Sequence, residues 1–304
     1  MSSVSENKTF TYSAAGKLML FGEYLVLQGA KSLAFPLKFG QVLKVSSSDK
    51  ILHWEAFANG EKWFWVSMDD QLNLIDTNNT GAAEMLQSLF KYIKHIQPDL
   101  DLINHYEVKA NFNLQWGLGS SSTLVSLLSQ WSDVDPYEML ANSFGGSGYD
   151  IAAATAQNPI IYQIRDNQKL IEEVQLNREI TDKCLFIYLG KKQNSRNEIK
   201  KFTSSEVTEK DIIAMNGIVE QAIKVSTIEE FEALLNRSED ILSFILGREK
   251  LKDHIFADYK YSIKSLGAWG GDFFLATFRD LDEARNYFKM KGLTTQFTYS
   301  ELVK

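Results

Sequence analysis

The chain has 304 residues, 44% hydrophobic and 23% charged, with a formal net charge of −7. That length is enough for two domains with substantial cores, and the acidic balance speaks against a nucleic-acid binder, whose affinity rests on Lys and Arg contacts to phosphate. No basic block resembles a membrane anchor, the opening MSSVSENKTFTY lacks the features of a signal peptide, and no apolar run approaches the roughly 20 residues of a membrane span.

The one cysteine, Cys184, rules out an intrachain disulfide and fits a reducing, cytoplasmic setting. His53, His95, His105 and His254 show no metal-ligand spacing, and no cysteine cluster accompanies them.

In chain order, the first 75 residues read as strands: KLMLFGEYLVL, QVLKVSSS, ILHWEAFA and KWFWVSM, with an Asn59-Gly60 hairpin turn between the last two. Residues 81–96 carry apolar positions at helical spacing, with Pro98 just beyond. YEVKANFNL is a further strand, and SSTLVSLLSQW, PYEMLANSF and IAAATAQ are short helices. IIYQI and CLFIYLG read as strands on either side of a charged, turn-prone stretch, with a domain boundary expected near residue 180, giving domains 1–180 and 181–304. Two amphipathic helices are expected within 205–250, then strands SIKSLGA and DFFLATF, a helix LDEARNYFKMK and a last strand TTQFTYSEL. The resulting β-α-α-β-β-α-β order suggests a small α+β sandwich.

Four segments can carry chemistry. In WGLGSSSTL, Trp116 to Leu124, Gly117 and Gly119 let the backbone approach an anion without Cβ interference. Ser120, Ser121 and Ser122 then offer hydroxyls and amides at a helix N-terminus, although serines there also serve as plain caps. Neither GxxxxGK[ST] nor GxGxxG occurs, so a nucleotide site here is of another design. In SAAGKLMLFGEYLVLQG, Lys17 heads an apolar run and either snorkels or points its ammonium into a site, while Glu23 and Tyr24 fit turn positions. In GGSGYDIAAATA, Asp150 is either the N-cap of an alanine-rich helix or a carboxylate placed to accept a hydroxyl proton. KSLGAWGGDFFLAT, Lys264 to Thr277, has three glycines around Trp269, which fit a hairpin turn or a close approach to phosphate.

Taken together and in this order, SAAGKLMLFGEYLVLQG, WGLGSSST, GSGYDIAAA and LGAWGGDFFLA resemble the motifs of the GHMP kinase family, closest to its mevalonate and phosphomevalonate kinase branch. The resemblance spans most of the chain and implies a two-domain α+β fold, with a ribosomal-protein-like α/β N-terminal domain and a ferredoxin-like C-terminal sandwich. It implies ATP and Mg²⁺ as cofactors: Gly117, Leu118, Gly119, Ser120, Ser121 and Ser122 would wrap the phosphates, with the Ser121 hydroxyl approaching Mg²⁺. Asp150 matches the catalytic aspartate and Lys17 the lysine that favours the ionised acceptor. Glu23, Tyr24, Ser195, Gly267, Ala268, Gly270 and Gly271 would surround the acceptor; Lys191, Lys192 and Arg196 near Ser195 either supply cations to a phosphate on it or are simply solvated loop residues, the commoner case. Ala15 and Asn113 stand where the family has proline, and Trp269 replaces a motif glycine in a loop expected against the ligand. Glu138 is the nearest candidate for a second Mg²⁺ ligand, but Asp135-Pro136-Tyr137-Glu138 also reads as a helix start, the stronger reading.

The leading expectation is therefore an ATP- and Mg²⁺-dependent phosphotransferase acting on a small hydroxy or phosphorylated acceptor, with no nucleic-acid or membrane partner and a homodimer left open. A non-catalytic ATP- or ligand-binding regulatory protein on the same fold, motivated by Trp269 and the missing prolines, and an enzyme resembling diphosphomevalonate decarboxylase are the alternatives.

Overall fold

The protein is described by a computed structural model covering residues 8–48, 50–191, 198, 202, 207–267, 269 and 271–304. It divides into two compact units. The first comprises residues up to Gly16, Phe39–Leu114 and Gly119–Thr155; the second comprises Lys17–Lys38, Gln115–Leu118 and Ala156–Lys304. Strands β1 (Phe10–Phe21) and β2 (Ser32–Ser47) each run through the division. The expected boundary near residue 180 falls inside the second unit.

In the first unit, β3 (Leu52–Ala58) and β4 (Glu61–Met68) form an antiparallel hairpin, with Asn59 at φ 53° and Gly60 at φ 83° as the two left-handed residues its tight turn requires. β5 (Leu74–Thr77) pairs with β4. Helix α1 (Thr80–Ile96) starts at Asn79, whose side chain accepts from the Ala82 amide at 3.1 Å, and it buries Ala83, Leu86, Leu89, Phe90 and Ile93 as one stripe. β6 (Asn104–Ala110) lies between β3 and β2, parallel to β3 and antiparallel to β2. Alternation along these strands points Leu43, Val45, Trp54, Ala56, Tyr106 and Val108 into a core closed by α1 and by α2 (Ser120–Ser132), α3 (Pro136–Ala141) and α4 (Tyr149–Thr155). Trp54 stacks on Tyr106 at 5.6 Å between ring centroids, and Phe90 meets Tyr106 edge-on at 5.1 Å.

In the second unit, β7 (Ile160–Arg165) pairs with the start of β2 and with β8 (Gln168–Glu173). A second sheet, in the order β10-β11-β9-β12, consists of β9 (Cys184–Tyr188), β10 (Ile263–Ser265), β11 (Phe273–Thr277) and β12 (Gln296–Thr298), all antiparallel. Helices of this unit among the described residues include α5 (Arg178–Thr181), α6 (Glu209–Ala222), α7 (Ile228–Leu246), α8 (Leu251–Ile255), α9 (Leu281–Met290) and α10 (Tyr299–Leu302). α6 and α7 both begin with capping boxes, Thr208 with Asp211 and Thr227 with Glu230. Leu185, Ile187, Phe256, Phe274 and Phe288 are among the residues that form the core of this sheet.

Three expectations need correction. GEYLVL is not a continuation of β1: Gly22 at φ 92° and Tyr24 at φ 62° turn the chain into a one-turn 3-10 helix, Leu25–Gln28. The stretch 166–173 is not merely turn-prone. Asp166 and Asn167, both left-handed, make a tight hairpin into β8, whose residues are exposed on both faces and so carry no apolar alternation. The last strand is short because Thr298 and Glu301 form a capping box that starts α10.

Candidate functional site

In the first unit, the strand-glycine-helix turn ends with Gly119 at φ 92° as the N-cap of α2. Glycine has no side chain to cap with, and the first intrahelical bond is Thr123 N–H to the Gly119 carbonyl at 3.0 Å. The amides of Ser120, Ser121 and Ser122 therefore stand at the helix N-terminus without an N-cap side chain, where partial positive charge collects. The hydroxyls divide the work. Ser122 is buried and donates to the Gly119 carbonyl at 2.9 Å, as does Thr123 at 3.1 Å, which fixes the turn. Ser120 and Ser121 are half-buried.

α3 and α4 pack on α2. Asp150 is the second residue of α4 rather than its N-cap; the Ile151 and Ala152 amides bond to the Gly148 carbonyl, and the Asp150 carboxylate accepts from the Ile151 amide at 3.1 Å. Tyr137 on α3 feels it: burial first, then the charges of Asp135 and Asp150, push the Tyr137 hydroxyl up to about 12. Asp135 caps α3 as expected, accepting from the Tyr137 and Glu138 amides, both at 2.8 Å. Glu138 is exposed, and after burial its charge is the next cause raising the Tyr92 hydroxyl pKa.

In the second unit, Lys17 joins the glycine turn twice: its amide bonds to the Leu118 carbonyl at 2.9 Å and its ammonium donates to the Gly117 carbonyl at 3.4 Å. Gly117, at φ 69°, sits where glycine is favoured, since a Cβ there would come within 2.5 Å of both carboxylate oxygens of Asp272 and displace them. Asp272 is buried and left-handed (φ 57°), clamped by its amide on the Lys191 carbonyl at 2.7 Å and by the Leu189 amide on its own carbonyl at 2.8 Å. The third motif thus lies against the second through a carboxylate. Gly267 is left-handed at φ 68°, and Gly271 is buried.

Trp269 does not stand out of its loop. The side chain is only 2% exposed, and its carbonyl takes a hydrogen bond from Arg248 at 3.2 Å. Arg248 also pairs with Glu198 at 2.5 Å. Tyr24 belongs to the same neighbourhood: burial, then the Glu198 charge, raise its hydroxyl pKa, and its ring lies 4.9 Å from that of Phe202. Among the described residues the Tyr24 hydroxyl, the Trp269 indole N–H and Glu23 Oε2 are buried without a hydrogen-bond partner.

Glu23, expected at a turn, is 2% exposed and bonded through Oε1 to the Lys264 ammonium at 2.7 Å. Glu239 on α7 completes this buried cluster, 3.6 Å from the same ammonium and accepting from the Ser265 amide at 3.2 Å. Two buried carboxylates share one lysine, and burial raises both, Glu239 to about 7. Neither Lys264 nor Glu239 is among the residues expected at a site, and a lysine entering a β-strand before a glycine loop is the one sequence signal for them.

Of the expected site residues, the first unit carries Gly119, Ser120, Ser121, Ser122, Glu138 and Asp150, and the second carries Lys17, Glu23, Tyr24, Gly117, Leu118, Gly267 and Gly271. Ser195, Ala268 and Gly270, with Lys192 and Arg196, lie outside the described residues.

No protein-family model matches the chain, and no curated protein does. Its architecture is nevertheless shared: the chain has the two-domain α+β fold of the GHMP kinases. Phosphomevalonate kinase from Streptococcus pneumoniae, solved with phosphomevalonate and AMPPNP, is similar over 95% of this chain and 99% of its own at 17% identity, with a TM-score of 0.71. The mevalonate kinase of L. major, solved with R-mevalonate, gives a TM-score of 0.68 at 16% identity over 96% and 94% of the two chains. Lactococcus lactis galactokinase, solved with galactose, gives 0.70 at 12% identity over 95% and 92%. Among the described residues no helix is long and apolar enough to cross a membrane.

Proposed function

We propose that this chain is an ATP- and Mg²⁺-dependent phosphotransferase that moves the γ-phosphoryl group to a hydroxyl or phosphate of a small acceptor, in the manner of mevalonate and phosphomevalonate kinases. The observation that carries the reading is the glycine turn into α2. Gly119 caps α2 without a side chain, so the Ser120, Ser121 and Ser122 amides stand at the helix start with no N-cap side-chain partner. A triphosphate fits that chemistry, since phosphoryl transfer needs mainly positioning and charge neutralisation.

In this proposal Gly117, Leu118, Gly119, Ser120, Ser121 and Ser122 hold the phosphates. Mg²⁺, when bound, supplies neutralising charge to them. The Ser121 hydroxyl and the Glu138 carboxylate are the proposed ligands to it. Asp150 accepts the proton of the acceptor hydroxyl as the new P–O bond forms and the bond to ADP breaks, and Lys17 stabilises the charge on the attacking oxygen. The unpartnered Tyr24 hydroxyl and Glu23 Oε2, beside the loop of Gly267 and Gly271, are proposed to orient the acceptor together with Ser195, Ala268 and Gly270.

A non-catalytic ATP- or ligand-binding protein on the same fold, motivated by Trp269 and by Ala15 and Asn113 in place of motif prolines, is the alternative reading. The test is ADP formation with a panel of mevalonate, phosphomevalonate, diphosphomevalonate, homoserine and simple sugars, with CO₂ release measured in parallel. Turnover should require Mg²⁺ and one acceptor class, and Asp150→Asn should lower it by about 10²–10⁴-fold while ATP affinity holds. Unchanged turnover in Asp150→Asn would refute the assigned role. ATP binding without turnover on any acceptor would favour the regulatory protein, and CO₂ release would favour the decarboxylase.

A further inference from the structure

β3 and β6 run side by side in parallel, and their register sets His53 directly beside His105. Alternation sends Leu52, Trp54 and Ala56 of β3 and Tyr106 and Val108 of β6 into the core, so His53, Glu55 and His105 share the opposite face of the sheet. The two imidazoles lie 5.4 Å apart between centroids. Glu55 bridges them: Oε2 is 3.3 Å from His105 Nε2, and Oε1 is 3.7 Å from His53 Nε2. One donor atom from each residue lies within 4.8 Å of the others. Donors held about 2.0–2.2 Å from one ion in tetrahedral array sit roughly 3.3–3.5 Å apart, so the His105 edge, at 3.3 Å, already has that spacing, while the His53 edge, from the other carboxylate oxygen at 3.7 Å, has to close by a few tenths of an ångström.

The surroundings suit the same purpose. His53 Nδ1 is 3.0 Å from the Ser67 hydroxyl on β4, which engages the nitrogen that would not bind metal and orients the ring, as outer partners of metal-ligating histidines do. Glu55 also accepts a hydrogen bond from the Lys62 ammonium, which holds its carboxylate on this face beside both imidazoles. The side chains of His53, Glu55 and His105 are 34%, 17% and 38% exposed, which leaves an entry path and open positions for water.

We propose that His53, Glu55 and His105 form a binding site for a divalent transition-metal ion of the Zn²⁺ class, with water in the remaining positions. Two imidazoles and one carboxylate favour Zn²⁺, Co²⁺, Ni²⁺ or Cu²⁺ over Mg²⁺ and Ca²⁺, which take oxygen donors. Lys62, bonded to Glu55 and 43% exposed, is the cation such an ion displaces, and a mobile surface lysine is displaced at little cost. None of the three ligands is among the residues proposed above for Mg²⁺, so this site stands or falls independently of the kinase reading.

The experiment is calorimetric titration of the tag-free protein with ZnCl₂, with Co²⁺ absorption spectra to report a low-coordinate N/O site. One saturable site per chain is expected, with millimolar Mg²⁺ failing to compete. His53→Gln and His105→Gln should each weaken binding by at least about tenfold, and Ser67→Ala by about 10- to 100-fold. Lys62→Met, which removes the competitor and leaves every ligand in place, should bind more tightly. No saturable binding, unchanged affinity in the His53→Gln/His105→Gln double variant, or weaker binding in Lys62→Met would each overturn the assignment.

Discussion

Replacing Glu239 with glutamine takes one negative charge out of a buried cluster in which Glu23 and Glu239 share the single ammonium of Lys264. The amide fits the existing bonds: its oxygen can accept from the Ser265 amide, and its NH₂ can donate to the Ser265 hydroxyl, now 3.3 Å from Glu239 Oε2. In the native protein burial lifts Glu239 from an ordinary 4.5 to about 7. A carboxyl whose folded pKa is raised binds its proton more tightly when folded. Its contribution to stability is therefore complete below about 4.5 and disappears as pH rises through about 7. At about 1.4 kcal/mol per pH unit, that displacement is worth on the order of 3 kcal/mol. Glu23, also raised by burial, acts in the same direction. Urea denaturation from pH 5 to 8, followed by tryptophan fluorescence, should show native stability falling with pH. Glu239→Gln should remove close to one proton's worth of that slope, leaving the variant near the native protein at pH 5 and more stable at pH 8. Equal slopes in the two proteins would refute the shared-proton argument, as would a variant that is less stable at pH 8.

Gly117→Ala forces a Cβ into the left-handed region and against Asp272, so stability should fall by at least about 1–2 kcal/mol, with weaker binding of an ATP analogue. Asp272→Ser in the same chain should recover part of the stability loss, and no recovery in urea denaturation would mean that the carboxylate is not what the new methyl meets. Trp269→Ala empties a buried indole site and should cost about 3–5 kcal/mol in the same assay; a loss under about 1 kcal/mol would place the side chain at the surface instead.

Much of the local structure was legible because it is set by residues adjacent in the chain. The Asn59-Gly60 turn, the amphipathic stripe of α1 and the Gly117 to Ser122 turn into α2 each follow from backbone freedom or from apolar spacing. Where the reading failed, the local signal was weak or ambiguous. β8 is exposed on both faces and carries no alternation, and GEYLVL is apolar whether it runs as a strand or turns into a 3-10 helix. Asp150 looked like an N-cap because an acidic residue at a helix start is compatible with either the cap or the first turn, and only the Gly148 carbonyl bonds distinguish them.

The sequence by itself determined where backbone could bend, where helices begin, and which short segments have the chemistry to meet phosphate. Tertiary structure alone decided which side chains meet. Lys264 finds Glu23 across 241 positions, and His105 finds Glu55 across 50. The histidines have no ligand spacing along the chain, yet parallel pairing of β3 with β6 sets them side by side. Trp269, bulky in a glycine motif, is buried, and its carbonyl accepts from Arg248. The physical reason is common to all three: turn and helix preferences act over a few residues, whereas charge pairing, ligand clustering and burial depend on strand register and packing, which join residues at any separation.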